Sequence, residues 1–543
     1  MGLRIAFITI DCLVNKFSVN KGLHAEPIKT VRVIVYMVLR AALLLFAGIV
    51  AFTPVQSPAE TSLLWGNNGE RWSPGSRLPD YSWTGYQCGE KPLPEVRVVA
   101  NIRNYGAKGD GKTDDTAAFK KALAEAKPGA ILIPAGRYVI TDFLELKNSG
   151  IVLRGEGPEK TILYFPKSLS EIKPAPVKNS GGTPTQAYSW SQGFITFRGN
   201  YGDRKASFKI ASNVERATNV ITLEKSERPS LKRGDWILLR QSDPGDMSFV
   251  NYLYNGTPGK TDNFPKRHGI EFPVRVAGMS GTKITLERTV PMDFRPEWGA
   301  SFSLFSPSMT ESGIEHLSFE FPVTTYGGHF REPGYNPISF SRVAHCWVRN
   351  VHFENADSGF FTSSHFCTFT GIIWKGNRKP DKRGNCGHHG TIFGGTQNLL
   401  TQFEFQVRYI HDLTVSSGSY FNVISQGKGP DIAFDHHERA PTGNLFSDID
   451  IEKGTRAFDC GGGAALGKNC ASWGTFWNIR SQGNITWPKP AFGPELLNFV
   501  GVTSTEKPEL NSSGRWFEPI PPDKLVPRDI HTAQLKRRLS GKR

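Results

Sequence analysis

From Val96 onward the chain breaks into short apolar runs, each closed within a few residues by Gly, Pro, Asn or Asp. Val96 to Ile102, Ala130 to Ile133, Gly136 to Ile140, Leu144 to Leu146 and Ile151 to Leu153 have the length and residue types of β-strands. Between the first two, Thr116 to Lys127 has helical spacing, with Asp114, Asp115 or Thr116 available as N-cap. Strands this short and this regularly punctuated predict the coils of a solenoid. The signal returns after about residue 310, where a polar residue precedes an apolar alternation at His316, Asn350, Asp412, Asp448 and Asn478. Each reads as one strand of successive coils. The intervals are 34, 62, 36 and 30 residues, and the longest holds an extra coil near Gly371 to Trp374.

The pattern divides the chain. Residues 60–95 read as an irregular lead-in, 96–200 as a cap with the first coils, and 306–510 as the body. Residues 201–305 carry alternating runs such as Ala217 to Leu223, Gly234 to Arg240 and Gly281 to Leu286, which predict antiparallel hairpins and an inserted β subdomain. Residues 511–543 form a connector and a short basic helix from Asp529 to Leu539, read as a structural tail. The expected class is all-β: a right-handed parallel β-helix with a short capping helix and a β insertion.

Composition supports many turns, with 56 Gly and 36 Pro in 543 residues and only 21% charged residues. Arg40 followed by the apolar stretch Ala41 to Phe52 and then Ser57-Pro58-Ala59 has a signal-peptide pattern, so 1–59 is expected to be a leader, with Met37 a candidate true start. Twelve apolar residues are too few to span a bilayer of about 30 Å, so export is expected, to the periplasm or outside the cell, without stable membrane insertion. Removing the six basic and two acidic residues of 1–59 lowers the formal charge from +15 to +11. Such a surface attracts polyanions. Without a recognisable nucleic-acid module, the expected partner is an acidic polysaccharide rather than nucleic acid. Cys88, Cys346, Cys367, Cys386, Cys460 and Cys470 permit disulfides but equally fit buried thiols.

The run Asn104-Tyr-Gly-Ala-Lys-Gly-Asp-Gly-Lys-Thr-Asp-Asp-Thr-Ala-Ala-Phe119, followed by Ile133-Pro-Ala-Gly-Arg-Tyr138 and Leu153-Arg-Gly-Glu-Gly157, resembles the opening of the pectate lyase-like superfamily, which includes rhamnogalacturonases and polygalacturonases. The resemblance implies the N-terminal cap and first coils of a right-handed β-helix, and says little about chemistry. Asp435-His-His-Glu-Arg439 with Ala440 to Phe446, and Thr475-Phe-Trp-Asn-Ile479 downstream, is similar to a bacterial subgroup of unassigned substrate.

Unusual polar groups concentrate between 385 and 460. His389 to His411 is 22 residues and His411 to His436 is 25, close to one turn of a β-helix, so these side chains are expected to line one groove. Cleavage of a uronate polysaccharide by β-elimination requires a cation beside the carboxylate, a base for the proton α to it, and an acid for the leaving oxygen. His436 or His437 is the candidate base, Arg439 and Arg408 are the carboxylate-binding candidates, and His389, His388 and His411 would assist. Lys428, Glu438 and Arg456 complete the substrate-binding set.

No cofactor is required by this chemistry. Calcium, used by some lyases the chain resembles, would be held by Asp431, Asp435 and Glu438. Zinc is disfavoured, because adjacent imidazoles on a strand point to opposite faces and no HExxH is present. A glycoside hydrolase on the same fold is the main alternative and needs two carboxyl groups. Polygalacturonases carry NxD, DD, GHG and RxK motifs, which Gly387-His-His-Gly390 only approximates, leaving Asp431, Asp435, Glu438, Asp448 and Asp450 as the available acids. A non-catalytic carbohydrate-binding β-helix would use aromatics such as Trp473 and Trp477.

Overall fold

A computed structural model describes residues 59–179, 181–203, 206–503 and 514–541. The expected leader therefore lies outside the described residues up to residue 58. Among the described residues no helix is long and apolar enough to cross a membrane.

The body is a right-handed parallel β-helix. One long sheet stacks twelve parallel strands in a single path: Val98–Asn101, Gly129–Ile133, Ile151–Gly155, Gly313–Glu320, Trp347–Glu354, Thr368–Lys375, Leu399–Phe405, Val423–Lys428, Leu445–Asp450, Thr475–Arg480, Asn498–Val502 and Trp516–Glu518. A second parallel sheet runs Leu144–Leu146, Ile195–Arg198, Ile338–Ala344, Phe360–His365, Gly387–Thr396, Tyr409–Val415 and Phe434–His436. Between the sheets Ile, Leu, Val and Phe fill the column, including Phe446, Phe476 and Phe499, whose rings stack 5.3 and 5.1 Å apart on successive coils. Removal of this apolar surface from water drives the stacking, since each coil presents an open face until its neighbour covers it.

The long sheet turns a corner at one residue per coil. His316, Asn350, Gly371, Gln402, Gln426, Asp448, Asn478 and Gly501 all have φ between 51° and 66°. The pairing on either side shows these residues stacked, as in Glu315↔Arg349 with Leu317↔Val351, and Ser447↔Trp477 with Ile449↔Ile479. Left-handed backbone is least costly for Gly and Asn, so these types recur there. Four of the five polar markers in the sequence are these corner residues. The fifth, Asp412, belongs instead to the second sheet, where its buried carboxylate accepts from Tyr409 N and Ala433 N at 2.9 Å each and pairs with Arg456. Another corner is tied by buried asparagines: Asn422 Oδ1 accepts from Asn398 N at 2.9 Å, and Asn444 Oδ1 accepts from Asn422 N at 3.1 Å.

At the N-terminal end the helix Thr116–Glu125 lays Phe119, Ala122 and Leu123 against the first coils, with Phe119 edge-on to Tyr138 at 5.7 Å. Asp115 sits at its cap position, but its carboxylate accepts from Lys108 N and Gly109 N, while Asp114 accepts from Thr116 N.

Between the strands Ile195–Arg198 and Gly313–Glu320 lies an antiparallel sheet, ordered Phe208–Lys209, Ser301–Leu304, Trp236–Ser242, Gly269–Ser280, Lys283–Leu286 and Val220–Thr222. It has its own apolar cluster and docks against the coils through Thr396 Oγ1 to Glu271 O at 2.8 Å and Tyr420 Oη with His268 Nε2 at 2.9 Å.

The lead-in runs along the outside of the column. Ser62 Oγ donates to Glu518 at 2.8 Å near the last coil, Tyr86 N donates to Thr368 Oγ1 at 2.8 Å midway, and Glu95 pairs with Arg349 at 2.8 Å. The helix Ile530–Leu539, capped by Asp529, clasps it: Gln534 bonds Tyr81 N and Pro79 O, and the Arg538 guanidinium lies 3.9 Å over Trp83. The six cysteines of the described region are all free thiols.

Candidate functional site

Two strands of the second sheet bring histidines into register. His389 on Gly387–Thr396 pairs directly with His411 on Tyr409–Val415, and Thr414 pairs with Asp435 on Phe434–His436. Five imidazoles meet there: His389 and His411 stack with centroids 5.0 Å apart, His388 lies 4.1 Å from His389, His437 is 5.3 Å from His411, and His329 is 4.5 Å from His388. His388 and His389 thus serve one cluster although adjacent on a strand, a correction to the simple alternation of faces.

Asp435 organises the cluster. Its Oδ1 accepts from Gly461 N at 2.7 Å; its Oδ2 accepts from Thr414 Oγ1 at 2.9 Å, lies 3.0 Å from His437 Nδ1, and is 3.4 Å from His411 Nδ1. His389 Nδ1 extends the chain to Thr414 Oγ1 at 2.9 Å. Burial alone would raise the Asp435 carboxyl, but His411, His437 and the Gly461 N–H hold it well below the usual carboxylate range. For His437, burial opposes the charged ring; the contact with Asp435 outweighs it, and the pKa lies above the ordinary histidine value. His411 is pushed by burial down to about 3 against the pull of Asp435, and His389 falls well below its usual value for the same reason. The His437 side chain keeps 32% of its surface, whereas His389 and His411 are buried. It therefore combines solvent access with an anionic partner, as a proton acceptor requires.

Around this core the backbone is unusual. Glu438, Arg439 and Ala440 are consecutive non-glycine residues with φ of 57°, 63° and 56°. They are fixed by Arg439 N to Leu466 O and by Ala440 N to Tyr254 Oη at 2.9 Å, the latter a residue of the inserted subdomain. Such strain is held at functional loops by surrounding contacts. Arg439 is exposed beside the cluster, and burial raises the pKa of Glu438, whose Oε2 accepts from Gly463 N at 2.7 Å. Gly461 faces the rings: a Cβ there would lie 2.3 Å from His437 Cε1 and 2.8 Å from His411 Cε1.

Several expected site residues lie elsewhere. His436 is fully buried inside the column among Phe446, Phe476 and Phe492, with Nδ1 3.0 Å from Phe434 O, because the strand alternation that turns His437 outward turns it inward. It is not a candidate base. Lys428 is an exposed residue of the long sheet, paired with Glu404 at 3.2 Å. Arg456 is buried, ties Asp412, and donates to Ile410 O at 2.9 Å, which makes it a structural cation. Arg408, part-buried, lies 3.7 Å from Asp431, and Asp431 accepts from Thr455 N and Oγ1. The calcium set does not assemble: Asp431, Asp435 and Glu438 hold separate partners and do not appear together in any metal-competent group among the described residues. Asp448 is tied to Arg480 and to Arg528, and Asp450 lies 3.9 Å from Arg480. Trp473 and Trp477 are buried, so packing accounts for both.

Sequence reasoning missed His329 and Glu332, which lie in the loop before the strand Ile338–Ala344. Glu332 is buried, accepts from Tyr326 Oη at 2.6 Å and Ser189 Oγ at 2.8 Å, and lies 3.5 Å from His388 Nδ1. Burial opposes its ionisation, yet His388 and Tyr326 bring its pKa down to about 2. The one sequence signal was a histidine in a Gly-rich stretch, Gly327-Gly-His-Phe-Arg-Glu332, between two coils.

Residues 99–233 match the family model described as rhamnogalacturonase A/epimerase, pectate lyase-like. Alginate lyase 7 of Azotobacter vinelandii is 28% identical over 109 residues, 18% of this chain and 12% of that protein. A polygalacturonase of Prunus persica is 42% identical over 67 residues, 11% of this chain and 17% of its own length. The pre-neck appendage protein of Bacillus phage phi29 is 36% identical over 69 residues, 13% and 8% of the two chains. The matched stretch thus spans less than a fifth of any of these three relatives. Among solved structures, the tailspike protein gp49 of Pseudomonas phage LKA1 aligns over 74% of this chain and 70% of its own, with 14% identity and a TM-score of 0.45.

Proposed function

We propose that this protein is an exported polysaccharide lyase that cleaves a uronate-containing chain by β-elimination, with His437 as the base. The observation that carries the reading is the contact of His437 Nδ1 with Asp435 Oδ2 at 3.0 Å on a side chain that remains open to solvent. With Nδ1 held by the carboxylate, Nε2 is the nitrogen presented to substrate. In the reaction His437 takes the proton α to the uronate carboxylate, the C–H electrons form the carbon–carbon double bond, and the glycosidic oxygen leaves with its bonding pair. Arg439, exposed beside His437, is the cation for the substrate carboxylate, and Glu438, its pKa raised, is the donor to the leaving oxygen. The net positive charge and the local similarity to an alginate lyase support an acidic substrate.

The test is to incubate the protein with alginate, polygalacturonate and neutral polysaccharides, following ultraviolet absorbance of an unsaturated product and new reducing ends in parallel. The reading expects both signals on an acidic polymer. Reducing ends without absorbance would replace it with hydrolysis, and binding without either signal would replace it with a carbohydrate-binding module.

A further inference from the structure

We propose that His329, His388 and His411 form a tri-imidazole site for one divalent transition-metal ion of the zinc class. One ligand atom from each of the three lies within 4.8 Å of the others. The supporting shell is already in place. His388 Nδ1 faces the buried carboxylate of Glu332 at 3.5 Å, and His411 Nδ1 faces the buried carboxylate of Asp435 at 3.4 Å. A carboxylate behind one ring nitrogen is the arrangement that orients a metal-bound histidine, leaving the opposite nitrogen as ligand. Glu332 is itself positioned by Tyr326 Oη and Ser189 Oγ, and Asp435 by Gly461 N and Thr414 Oγ1.

A second observation points to a ligand. His411 is buried, and its Nε2, the nitrogen turned away from Asp435, has no hydrogen-bond partner. Buried polar atoms are rarely left in this state, because desolvating one without a partner is costly. A cation bound at Nε2 would satisfy it. The exposed third ring, His329, is stacked on Phe330 at 3.7 Å and lies 4.5 Å from His388 and 5.8 Å from His411, and metal binding would draw it toward the other two to the roughly 3.4 Å nitrogen spacing of a tetrahedral site with bonds of about 2.1 Å. A second triad, His411 with Asp435 and His437, shares His411, but there Asp435 and His437 already satisfy each other. Three imidazoles leave a fourth position open, as in a catalytic rather than a structural site.

Chelator-treated protein is titrated with Co²⁺ and then Zn²⁺, following visible absorbance and metal content per chain. The proposal expects one equivalent of Co²⁺ with a tetrahedral visible band, displaced by Zn²⁺. Loss of the band is expected in His388→Ala and His329→Ala, and 10- to 100-fold weaker binding in Glu332→Gln. His329 is exposed, so its variant keeps the fold and remains informative if His388→Ala does not. Absence of stoichiometric uptake by the wild-type protein, or unchanged uptake by a folded His329→Ala variant, would overturn the site. The readout needs no polysaccharide, so it stands or fails separately from the proposed elimination.

Discussion

His389 and His411 face each other across adjacent coils, with rings 5.0 Å apart and inclined by 27°. The 22-residue separation in sequence becomes one rung of the stack, and the Thr414–Asp435 rung beside it supplies the carboxylate to which His437 is tied. Of the adjacent pair His436 and His437, one ring packs inside the column and the other joins the cluster, which makes them separable by mutation.

His437→Ala is expected to lower turnover about 10²-fold or more while leaving the unfolding temperature nearly unchanged, the usual size of a general-base effect. His436→Ala is expected to do the reverse, costing about 2–4 kcal/mol through the cavity it leaves among Phe446, Phe476 and Phe492. Parallel kinetics and denaturant unfolding separate the two; near-normal turnover in His437→Ala would refute the base assignment.

Gly461→Ala tests the packing of the cluster. The added methyl would lie under 3 Å from both His437 and His411, so the rings must move. Activity is expected to fall at least about 10-fold with the coil stack intact, since displacement of about 1 Å at a reacting group costs on that order or more. Circular dichroism alongside kinetics checks it, and an unaffected rate would mean that the imidazole positions do not matter.

The asparagine corner makes a stability prediction. Asn422→Ala removes the acceptor of Asn398 N and the side-chain donor to Gly395 O, both in the buried corner. The expected loss is about 1–3 kcal/mol, measured as a lower denaturant midpoint at unchanged slope. A change within about 0.5 kcal/mol would show the corner to be held by packing alone.

Acid sensitivity follows from histidines away from the groove. Burial pushes His268, His345 and His436 each down to about 4. The unfolded chain binds these protons near pH 6.5 and the folded chain only near 4, so stability is full above about pH 6.5 and is lost as pH falls toward 4. Thermal unfolding at pH 7 and pH 4.5 should show a clear fall, smaller in His436→Phe. A midpoint flat across that window would contradict the buried neutral state.

The solenoid was legible because its signals are local: strand length, turn residues and the cap motif. Its phase was only partly so. Asn350, Asp448 and Asn478 mark corners because Asn and Asp tolerate left-handed backbone, whereas Gln402 and Gln426 occupy the same place with no such signature, and Asp412 marks a strand of the second sheet rather than a corner. Within the groove, the clustering of His388, His389, His411 and His437 was readable from spacing near one coil. Which neighbour of a pair turns inward was not, since His436 and His437 differ only by strand phase. His329 and Glu332 arrive from a loop some 56 residues earlier than His388, a distance that no periodicity connects.

The strap formed by residues 60–95 changes how the column comes apart. A bare solenoid frays from its ends, each coil leaning only on the next. Here Ser62 is moored near the final coil and Glu95 to the coil of Arg349, 169 residues before Glu518 in the chain, so the last coils cannot peel without releasing the ribbon from the coils before them. Loss of this one ribbon would turn a single concerted melting event into a succession of partial ones, and the histidine groove, close to the middle, would then inherit the weakness of the termini.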